Sequence, residues 1–360
     1  MLNFTVGPVM SEEAVLNVGG QSAPYFRTPE FSEIMKENEQ LVLKFLSAPE
    51  NSRCVFLTSS GTGAMESCVM NLLNEKDKVL VINGGSFGQR FVELCELHNR
   101  NYTEIKVEFG HQINKDEFGQ FEGKGYTALL VNMDETSSGT LYDMEFISKF
   151  CKKNNIALIV DAISAFLIDK LDMAELGAIA VLTGSQKALS LHPGISLVAL
   201  SPEGLKRVEE NKEVCMYLSL RLALKNGERG QTPFTPAVTV LLELNERLKG
   251  IDKRGGIDAE RKIIADRAAD FRKFIKDYPF ELVSESPSDC VTALKTTSVS
   301  AKKIIEEMQN TYNIWLCPNG GALADTVFRV GHIGNITKND MESLKSAFED
   351  MKTKGFFDRA

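Results

Sequence analysis

Short apolar runs alternate with longer stretches of helical periodicity from the start of the chain to Leu200. The runs are continuous in apolar residues, which is typical of strands covered on both faces of a sheet. Strands that alternate with helices predict crossover connections and a mainly parallel sheet. The predicted strands are Val55–Thr58, Val79–Ile82, Tyr102–Val107, Ala128–Met133, Ile156–Val160, Ala178–Thr183 and Gly194–Leu200, and the predicted helices are Gly63–Leu73, Phe87–His98 and Met144–Asn154.

The pattern changes after about residue 235, where the helix-period segments become longer and more charged. A turn is predicted over Lys249–Gly256, which places a domain boundary near residue 250. The sequence thus predicts an α/β protein with a large domain over 21–250 and a smaller α+β domain over 251–360. The elements predicted here are helices Pro236–Leu248, Ile257–Tyr278, Ala301–Tyr312 and Lys338–Lys352, and strands Val291–Leu294 and Thr326–Val330.

Composition and charge favour a globular protein with small-molecule partners. The 360 residues are 43% apolar and 25% charged, close to the average for a folded domain. The formal net charge of −8 argues against a nucleic acid partner. The apolar runs are much shorter than the ~20 residues of a membrane span, and no basic residue precedes the first apolar ones as in a secretory signal. We therefore expect a cytoplasmic protein with no membrane partner.

The seven cysteines are odd in number and scattered, and none forms a Cys-x-x-Cys pair. They are expected to be free thiols in a reducing compartment. The four histidines are equally dispersed, so the sequence predicts no metal site.

The segment Thr58–Met65 is the first candidate for chemistry, because its small and hydroxyl-bearing residues leave a strand and open a helix. Backbone N–H groups at such a place can bind an anion, and the helix N-terminus favours negative charge. An ordinary helix cap explains an isolated Ser-Gly-Thr equally well. No Lys-Ser or Lys-Thr follows, so the segment is not a P-loop.

Asp161 and Lys187 each follow a predicted strand, 26 residues apart (187 − 161). Taken alone, the acid could cap a helix and the lysine could be solvated. Ligands of open α/β sheets bind beyond the carboxyl ends of the strands, and a buried lysine becomes a nucleophile. An anion cup, an acid and a lysine are what pyridoxal phosphate requires for its phosphate, its ring nitrogen and its aldehyde.

Eight ordered segments carry a family resemblance that covers nearly the whole chain: Val6–Pro8, Ser60–Met65, Asn83–Arg90, Glu135–Gly139, Asp161–Ala162, Ser185–Lys187, Thr232–Pro236 and Phe328–Gly334. In these segments the chain resembles the class V aminotransferases, which are fold-type-I pyridoxal phosphate enzymes. It is most similar to the branch that contains alanine–glyoxylate, serine–pyruvate and 2-aminoethylphosphonate–pyruvate transaminases.

The resemblance implies pyridoxal phosphate as cofactor and assigns the central roles. Lys187 would hold the cofactor and later carry the substrate's proton, and Asp161 would keep the ring nitrogen protonated. The backbone of Ser60, Gly61 and Thr62 would bind the phosphate. Further implied roles are ring stacking for Phe87, a hydrogen bond to the phenolic oxygen for Thr136, proximity to the phosphate for Gln186, the substrate carboxylate clamp for Arg329, and a substrate contact for Gly7 within an N-terminal arm, 1–20. Plain alternatives are a core phenylalanine at 87 and a surface arginine at 329.

The resemblance also implies a homodimer with shared active sites. Thr232 and Thr235 fall where the neighbouring subunit completes the phosphate cup. Thr232 stands where some relatives have tyrosine, so the resemblance supports its role less than that of Thr235.

The implied reaction moves an amino group from 2-aminoethylphosphonate, alanine or serine to pyruvate or glyoxylate by a ping-pong mechanism. Arg27 could bind a phosphonate or could simply be solvated. The alternative function is that of a class V cysteine desulfurase or a related β-lyase. Cys317, beside the turn-rich Pro318–Gly321, would then be the loop nucleophile.

Overall fold

Two large β-sheets and a set of covering helices make up residues 1–358, which are described by a computed structural model. The strands are β1 Leu2–Phe4, β2 Arg53–Leu57, β3 Lys78–Asn83, β4 Asn101–Lys106, β5 Ala128–Asn132, β6 Asp134–Glu135, β7 Thr140–Leu141, β8 Ala157–Asp161, β9 Ala178–Gly184, β10 Ser196–Leu200, β11 Phe280–Leu282, β12 Val291–Thr296, β13 Ile314–Pro318 and β14 Val327–Gly331. The helices are α1 Glu13–Gly19, α2 Pro29–Phe45, α3 Gly61–Leu72, α4 Ser86–Leu97, α5 Lys115–Phe118, α6 Met144–Asn154, α7 Met173–Leu176, α8 Pro202–Glu210, α9 Leu220–Gly227, α10 Val238–Lys253, α11 Gly256–Phe274, α12 Ala301–Tyr312 and α13 Lys338–Thr353. Among these residues, no helix has both the length and the apolar character to cross a membrane.

The central sheet has seven strands in the order β2-β10-β9-β8-β5-β3-β4. Only β10 runs antiparallel to its neighbours, so the predicted mainly parallel sheet is confirmed. The β8 residue Asp161 pairs in register with Leu182 of β9. The carboxyl ends of β5, β8 and β9 therefore meet at one edge, where open α/β sheets bind ligands.

The two faces of the central sheet are buried in two separate apolar clusters. On β5, Leu129 and Val131 belong to one cluster, while Ala128 and Leu130 belong to the other. Helices α6 and α10 contribute to the first cluster, and α3 and α4 to the second. Covering on both faces explains why these strands read as continuous apolar runs.

The second sheet has five strands in the order β1-β13-β14-β12-β11. Its core contains several phenylalanines, among them Phe4, Phe271, Phe328 and Phe348. The first strand of the chain completes this sheet by pairing in parallel with β13, so Leu2 lies opposite Ile314. The smaller α+β unit thus incorporates residues from both ends of the chain.

Several elements differ from those predicted. The turn predicted over Lys249–Gly256 is wrong in extent, because α10 continues to Lys253 and α11 already begins at Gly256. The break needs only Arg254 and Gly255, whose φ of +109° is a conformation that glycine adopts readily. The pattern also missed strands β1, β6, β7, β11 and β13 and helices α1, α2, α5, α7, α8 and α9.

Candidate active site

Asp161 is the last residue of β8, and its side chain is buried at the carboxyl edge of the central sheet. Its carboxylate accepts hydrogen bonds from the Ile163 backbone N–H at 2.8 Å and from Asn132 Nδ2 at 2.5 Å. Burial raises the pKa of this carboxyl group to about 6, although both hydrogen bonds act in the opposite direction. A cation placed beside the carboxyl group would favour its ionised form.

Lys187 follows β9, the neighbouring strand, and its side chain is buried as well. Burial lowers the pKa of its amine, with Arg329 acting in the same direction and with Cys290 and Asp134 opposing. The Nζ atom lies 5.8 Å from the centre of the Phe87 ring. A buried amine with a lowered pKa carries the free electron pair that a nucleophile needs.

The N-terminal arm packs directly against this lysine at Gly7. A Cβ atom at position 7 would lie 3.0 Å from the Gln186 carbonyl oxygen and 3.1 Å from Lys187 Cδ. The φ of Gly7 is +133°, so both the space and the backbone conformation require glycine. The arm therefore forms one wall of the space around Lys187.

The predicted anion cup lies at the start of α3, where Ser60 precedes Gly61 and makes no side-chain capping bond. A Cβ on Gly61 would come within 2.3 Å of Ile163 Cδ1, so the helix start packs closely against the chain just after Asp161. On the other side, Thr62 Oγ1 accepts a hydrogen bond of 3.1 Å from Arg90 Nη1. The start of the helix thus offers backbone N–H groups, hydroxyl groups and a nearby cation to an anion.

Thr136 and Arg329 meet on the side of the site that faces the second sheet. The Thr136 carbonyl oxygen accepts a hydrogen bond of 3.0 Å from Arg329 Nη1, and the Pro318 carbonyl accepts one of 2.6 Å from Nη2. The Thr136 hydroxyl is hydrogen-bonded to the Ser164 hydroxyl. Two carbonyls thus orient the guanidinium group, and its buried Nε has no partner among residues 1–358.

Gln186 and Cys317 are two further candidate residues from the sequence. The Gln186 side chain lies against the backbone of Gly184, with Oε1 2.9 Å from the position of a Cβ there. Cys317 lies in β13 opposite Arg329, not in a loop, so its description as a loop cysteine is wrong. It is held in a strand because β13 pairs on both sides, with β1 and with β14.

The segment around Thr232 and Thr235 lies beside Thr58, whose hydroxyl accepts a hydrogen bond of 3.1 Å from the Ala237 N–H. Arg27 donates hydrogen bonds to Gln231 Oε1 at 3.2 Å, to the Thr232 carbonyl at 3.0 Å and to the Pro233 carbonyl at 3.4 Å. The Thr232 hydroxyl donates to the Phe234 carbonyl at 2.7 Å, and Thr235 is exposed. Arg27 thus supports this loop, and these contacts account for it without a phosphonate.

Sequence reasoning assigned no role to Glu135, Arg90 or Arg247. Glu135 is buried and accepts hydrogen bonds from the start of α4, where Phe87 lies. The Arg90 guanidinium carbon lies 4.9 Å from the centre of the Phe87 ring. Arg247 is buried in α10 and donates to the Ala188 and Leu189 carbonyls, directly after Lys187. Glu135 and Arg90 stand in motifs that were recognised, but only the fold reveals their partners.

No group of three or more His, Cys, Asp or Glu side chains that could hold a metal ion occurs in residues 1–358.

Comparison with known proteins gives a consistent result. The family model described as "Aminotransferase class-V" matches residues 12–320. A soluble hydrogenase 42 kDa subunit from Anabaena cylindrica is 33% identical over 95% of this chain and 91% of its own length. A 2-aminoethylphosphonate–pyruvate transaminase from Pseudomonas putida is 26% identical over 89% of both chains.

Among solved structures, an aspartate aminotransferase of subgroup IV from Thermus thermophilus superposes with a TM-score of 0.91. The match covers 98% of this chain and 99% of that protein, at 24% identity. At this level of identity the match establishes the fold alone.

Proposed function

Because the chain belongs to the class V aminotransferases, which depend on pyridoxal phosphate, we propose that it moves an amino group from a small donor to pyruvate or glyoxylate in a ping-pong cycle. The donors proposed are 2-aminoethylphosphonate, alanine and serine. The observation that carries the proposal is the placement of two buried groups, Asp161 and Lys187, at the ends of neighbouring strands.

The residues present fit the cofactor. The start of α3 packs so closely on Ile163 that only glycine is accommodated at position 61. No side chain caps this helix start, so its first N–H groups can bind an anion. Asp161 is a buried carboxyl group without a cationic partner of its own in residues 1–358. When bound, pyridoxal phosphate supplies an aldehyde for the amino group and a ring that withdraws electrons from the substrate's Cα.

Each residue of the chain then has a definite task. Lys187 holds the cofactor through its ε-amine and takes the proton from the substrate's Cα, which its lowered pKa favours. Asp161 stabilises the positive charge on the ring nitrogen. Ser60, Gly61 and Thr62 bind the phosphate at the N-terminus of α3.

The remaining residues orient the reactants. Phe87, whose ring centre lies 5.8 Å from Lys187 Nζ, would stack on the face of the cofactor ring. Thr136 donates to the phenolic oxygen, and Gln186 lies near the phosphate. Arg329, oriented by two carbonyls, binds the substrate carboxylate, which a guanidinium group matches in geometry. With 2-aminoethylphosphonate as donor, Arg329 would serve the oxo acid.

A half-reaction assay tests this function. The holoenzyme is mixed with one donor and no acceptor, and the visible band of the cofactor should be lost, then return when pyruvate or glyoxylate is added. The panel contains 2-aminoethylphosphonate, alanine, serine and aspartate, with cysteine included to detect sulfide release. A donor that changes the spectrum only when the acceptor is present would rule out the ping-pong order, and no turnover of 2-aminoethylphosphonate would remove that donor.

We also propose a homodimer with shared sites. Tyr217 stacks on Phe234 at 5.6 Å, and both Tyr217 and Met216 expose much of their apolar surface. Exposed apolar residues grouped in this way are typical of an interface. The exposed Thr235 hydroxyl lies beside them and completes the partner's phosphate cup.

Mixing two inactive variants tests the sharing of sites. Lys187→Ala removes the amine and Thr235→Val removes the hydroxyl. If Thr235 serves the partner, a mixed dimer contains one intact site, so the mixture should recover activity that neither variant has. A mixture with no more activity than its components would contradict shared sites, and mass measurement by light scattering reports the dimer independently.

We propose a cytoplasmic location as well, which the free thiols of all seven cysteines support.

A further inference from the structure

We propose that Glu135, in strand β6, is a positioning residue. Its carboxylate caps the start of helix α4 and thereby fixes Phe87 against the cofactor ring. The inference rests on the stacking role of Phe87 proposed above. It concerns how this chain holds that ring in place, which no motif indicates.

Helix α4 begins without a cap of its own. The residue before Ser86 is Gly85, which has no side chain to accept the first N–H groups of the helix. Such N–H groups need partners when they are buried. Ser86 N–H donates to Ser137 Oγ at 3.1 Å, whereas Phe87 N–H and Gly88 N–H donate to Glu135 Oε2 at 3.1 and 3.0 Å.

The glutamate is fully buried, and within residues 1–358 it forms no salt bridge; its hydrogen-bond donors are backbone N–H groups and a hydroxyl. Its second oxygen, Oε1, accepts hydrogen bonds from Ser137 N–H at 3.1 Å and from Ser137 Oγ at 2.5 Å. Four donors and the positive end of the α4 dipole therefore compensate its charge. A carboxylate that is satisfied on both oxygens holds a single orientation.

The turn before α4 lies in direct contact with Glu135 and Ser137, with no space between them. A Cβ atom on Gly85 would lie 2.3 Å from Ser137 Oγ and 2.6 Å from Glu135 Cδ. The turn before α4 thus rests directly on the glutamate side chain. The helix start cannot shift toward β6 and has no free N–H groups with which to bind another anion.

This contact fixes the backbone of the residue that carries the aromatic ring. Phe87 is the second residue of α4, and its own N–H is one of the groups that Glu135 binds. Its ring faces Lys187 Nζ at 5.8 Å and the Arg90 guanidinium at 4.9 Å. Glu135 is the last residue of β6 and directly precedes Thr136, whose hydroxyl is hydrogen-bonded to Ser164.

The N-termini of helices α3 and α4 therefore differ in what their N–H groups bind. At α3 no side chain caps the helix, and its N–H groups remain available to the cofactor's phosphate. At α4 the carboxylate of Glu135 already occupies the corresponding place.

Glu135→Gln tests the proposal, because it preserves the shape of the side chain and turns one acceptor oxygen into an amide donor. Two of the four donors then lose their acceptor, so the start of α4 loosens and the ring moves. We expect the cofactor to leave the holoenzyme about tenfold faster, with a weaker circular dichroism signal in its visible band. Glu39→Gln is the matched control, because Glu39 also accepts a backbone hydrogen bond, from the Cys54 N–H at 2.8 Å. Cys54 is in β2, at the edge of the central sheet opposite β4, so this variant should leave both readouts unchanged.

A double-mutant cycle separates positioning from a structural role. If Glu135 acts through the aromatic ring, Glu135→Gln should add nothing to the release rate of a Phe87→Leu variant. Multiplicative effects of the two substitutions, or release from Glu135→Gln at the wild-type rate, would overturn the proposal. If Glu135→Gln does not fold, Ser137→Ala replaces it in the same cycle, with an expected rise of about threefold that also disappears beside Phe87→Leu.

The wild-type protein keeps this test distinct from that of the function. A wild type that binds no cofactor or yields no half-reaction contradicts the proposed function. A wild type that does both, beside a Glu135→Gln variant that matches it, contradicts only the positioning role.

Discussion

Asp161 offers a direct test at the level of a single side chain. Asp161→Asn preserves its size and its acceptor for the Ile163 N–H, but removes the negative charge. We expect the rate of the half-reaction to fall by roughly a hundredfold or more, because the ring nitrogen loses the charge that stabilises its proton. Stopped-flow spectroscopy measures the rate, and thermal unfolding verifies the fold.

The control for this substitution is Asp172→Asn. Asp172 also accepts a backbone hydrogen bond, from Glu175 N–H at 2.7 Å, but at the start of α7. The Asp172→Asn variant should react at the wild-type rate. An Asp161→Asn variant that reacts equally fast would refute the role of Asp161 at the ring nitrogen.

Residues differ in how far the sequence reveals them. Asp161 and Lys187 could be found because each directly follows a strand that is visible in the apolar pattern, and the structure brings both to one edge. Glu135 could not be assigned a task, because its partners at the start of α4 are 47 and 48 residues away. Periodicity locates a helix start but does not tell which distant carboxylate reaches it.

Helix α10 is the element that supports the turn after Lys187. Arg247, buried within it, donates to the Leu189 carbonyl at 3.2 Å, to the Ala188 carbonyl at 3.3 Å and to Glu12 Oε1 at 2.5 Å. It also contacts Glu260 of α11. One guanidinium group thus joins the lysine turn, the N-terminal arm and two helices.

Arg247→Lys should therefore be costly although it keeps the charge. An ammonium group cannot reproduce the planar set of donors, so the buried Ala188 and Leu189 carbonyls lose hydrogen bonds at a cost of about 1–3 kcal/mol each. We expect a clear drop in melting temperature together with a lower kcat, as the turn after Lys187 loosens. Calorimetry and steady-state kinetics measure the two effects.

Arg254→Lys serves as the matched control. Arg254 contacts the same Glu12 at 2.9 Å, but its side chain is 45% exposed, so water replaces the lost contact at a cost below about 1 kcal/mol. Equal stability of the two variants would contradict the supporting role of Arg247.

Helix α2, one of the helices that the sequence pattern did not predict, shows why some elements escape detection. The buried positions of α2 follow helical spacing, but one of them is Asn38. Its amide donates to the Leu241 carbonyl of α10 at 3.0 Å, so a polar residue interrupts the apolar stripe. The Thr28-Pro29 start was a usable signal, since Thr28 caps the helix through the Phe31 N–H.

The whole molecule is sensitive to pH where its two sheets meet. Ser288 Oγ, from the chain leading into β12, lies 3.1 Å from Asp134 Oδ2 and 2.9 Å from Asp169 Oδ2. A hydroxyl group has only one proton to donate, so these acids cannot both be bound by it as carboxylates. Burial raises the pKa of Asp169 to about 6, helped by Asp289 and opposed by Arg272.

A raised folded-state pKa fixes the sign of the effect. The contribution of Asp169 to stability is complete below its unfolded pKa of about 4 and is lost as the pH rises through about 6. Asp169→Asn has no such proton to lose. Its melting temperature relative to wild type should therefore be higher at about pH 8 than at about pH 5.

Asp143→Asn provides a control of opposite sign. A hydrogen bond from Lys115 lowers the pKa of Asp143, so its contribution to stability is present at neutral pH and lost in acid. Relative to wild type, the melting temperature of this variant should therefore fall as the pH rises up to about 4 and should not change between about pH 5 and pH 8. Parallel profiles for the two variants would contradict the assignment at Asp169.

At this scale the sequence predicted the fold class correctly, and the domain limits at residues 20 and 250 stay predictions. The small sheet escaped in part because β1 and β11 have only three residues each, too few for a periodicity to show. These two strands are defined by their hydrogen-bonded pairing with β13 and β12, and not by a pattern of apolar residues.

The position of β1 has a consequence for how the enzyme is made. Residues 2–4 leave the ribosome more than three hundred residues before their partner strand β13. They therefore cannot pair, and cannot anchor the segment that holds Gly7 against Lys187, until β13 has been synthesised. A translation product that stops before β13 lacks this anchor, so we expect it to retain the coenzyme poorly.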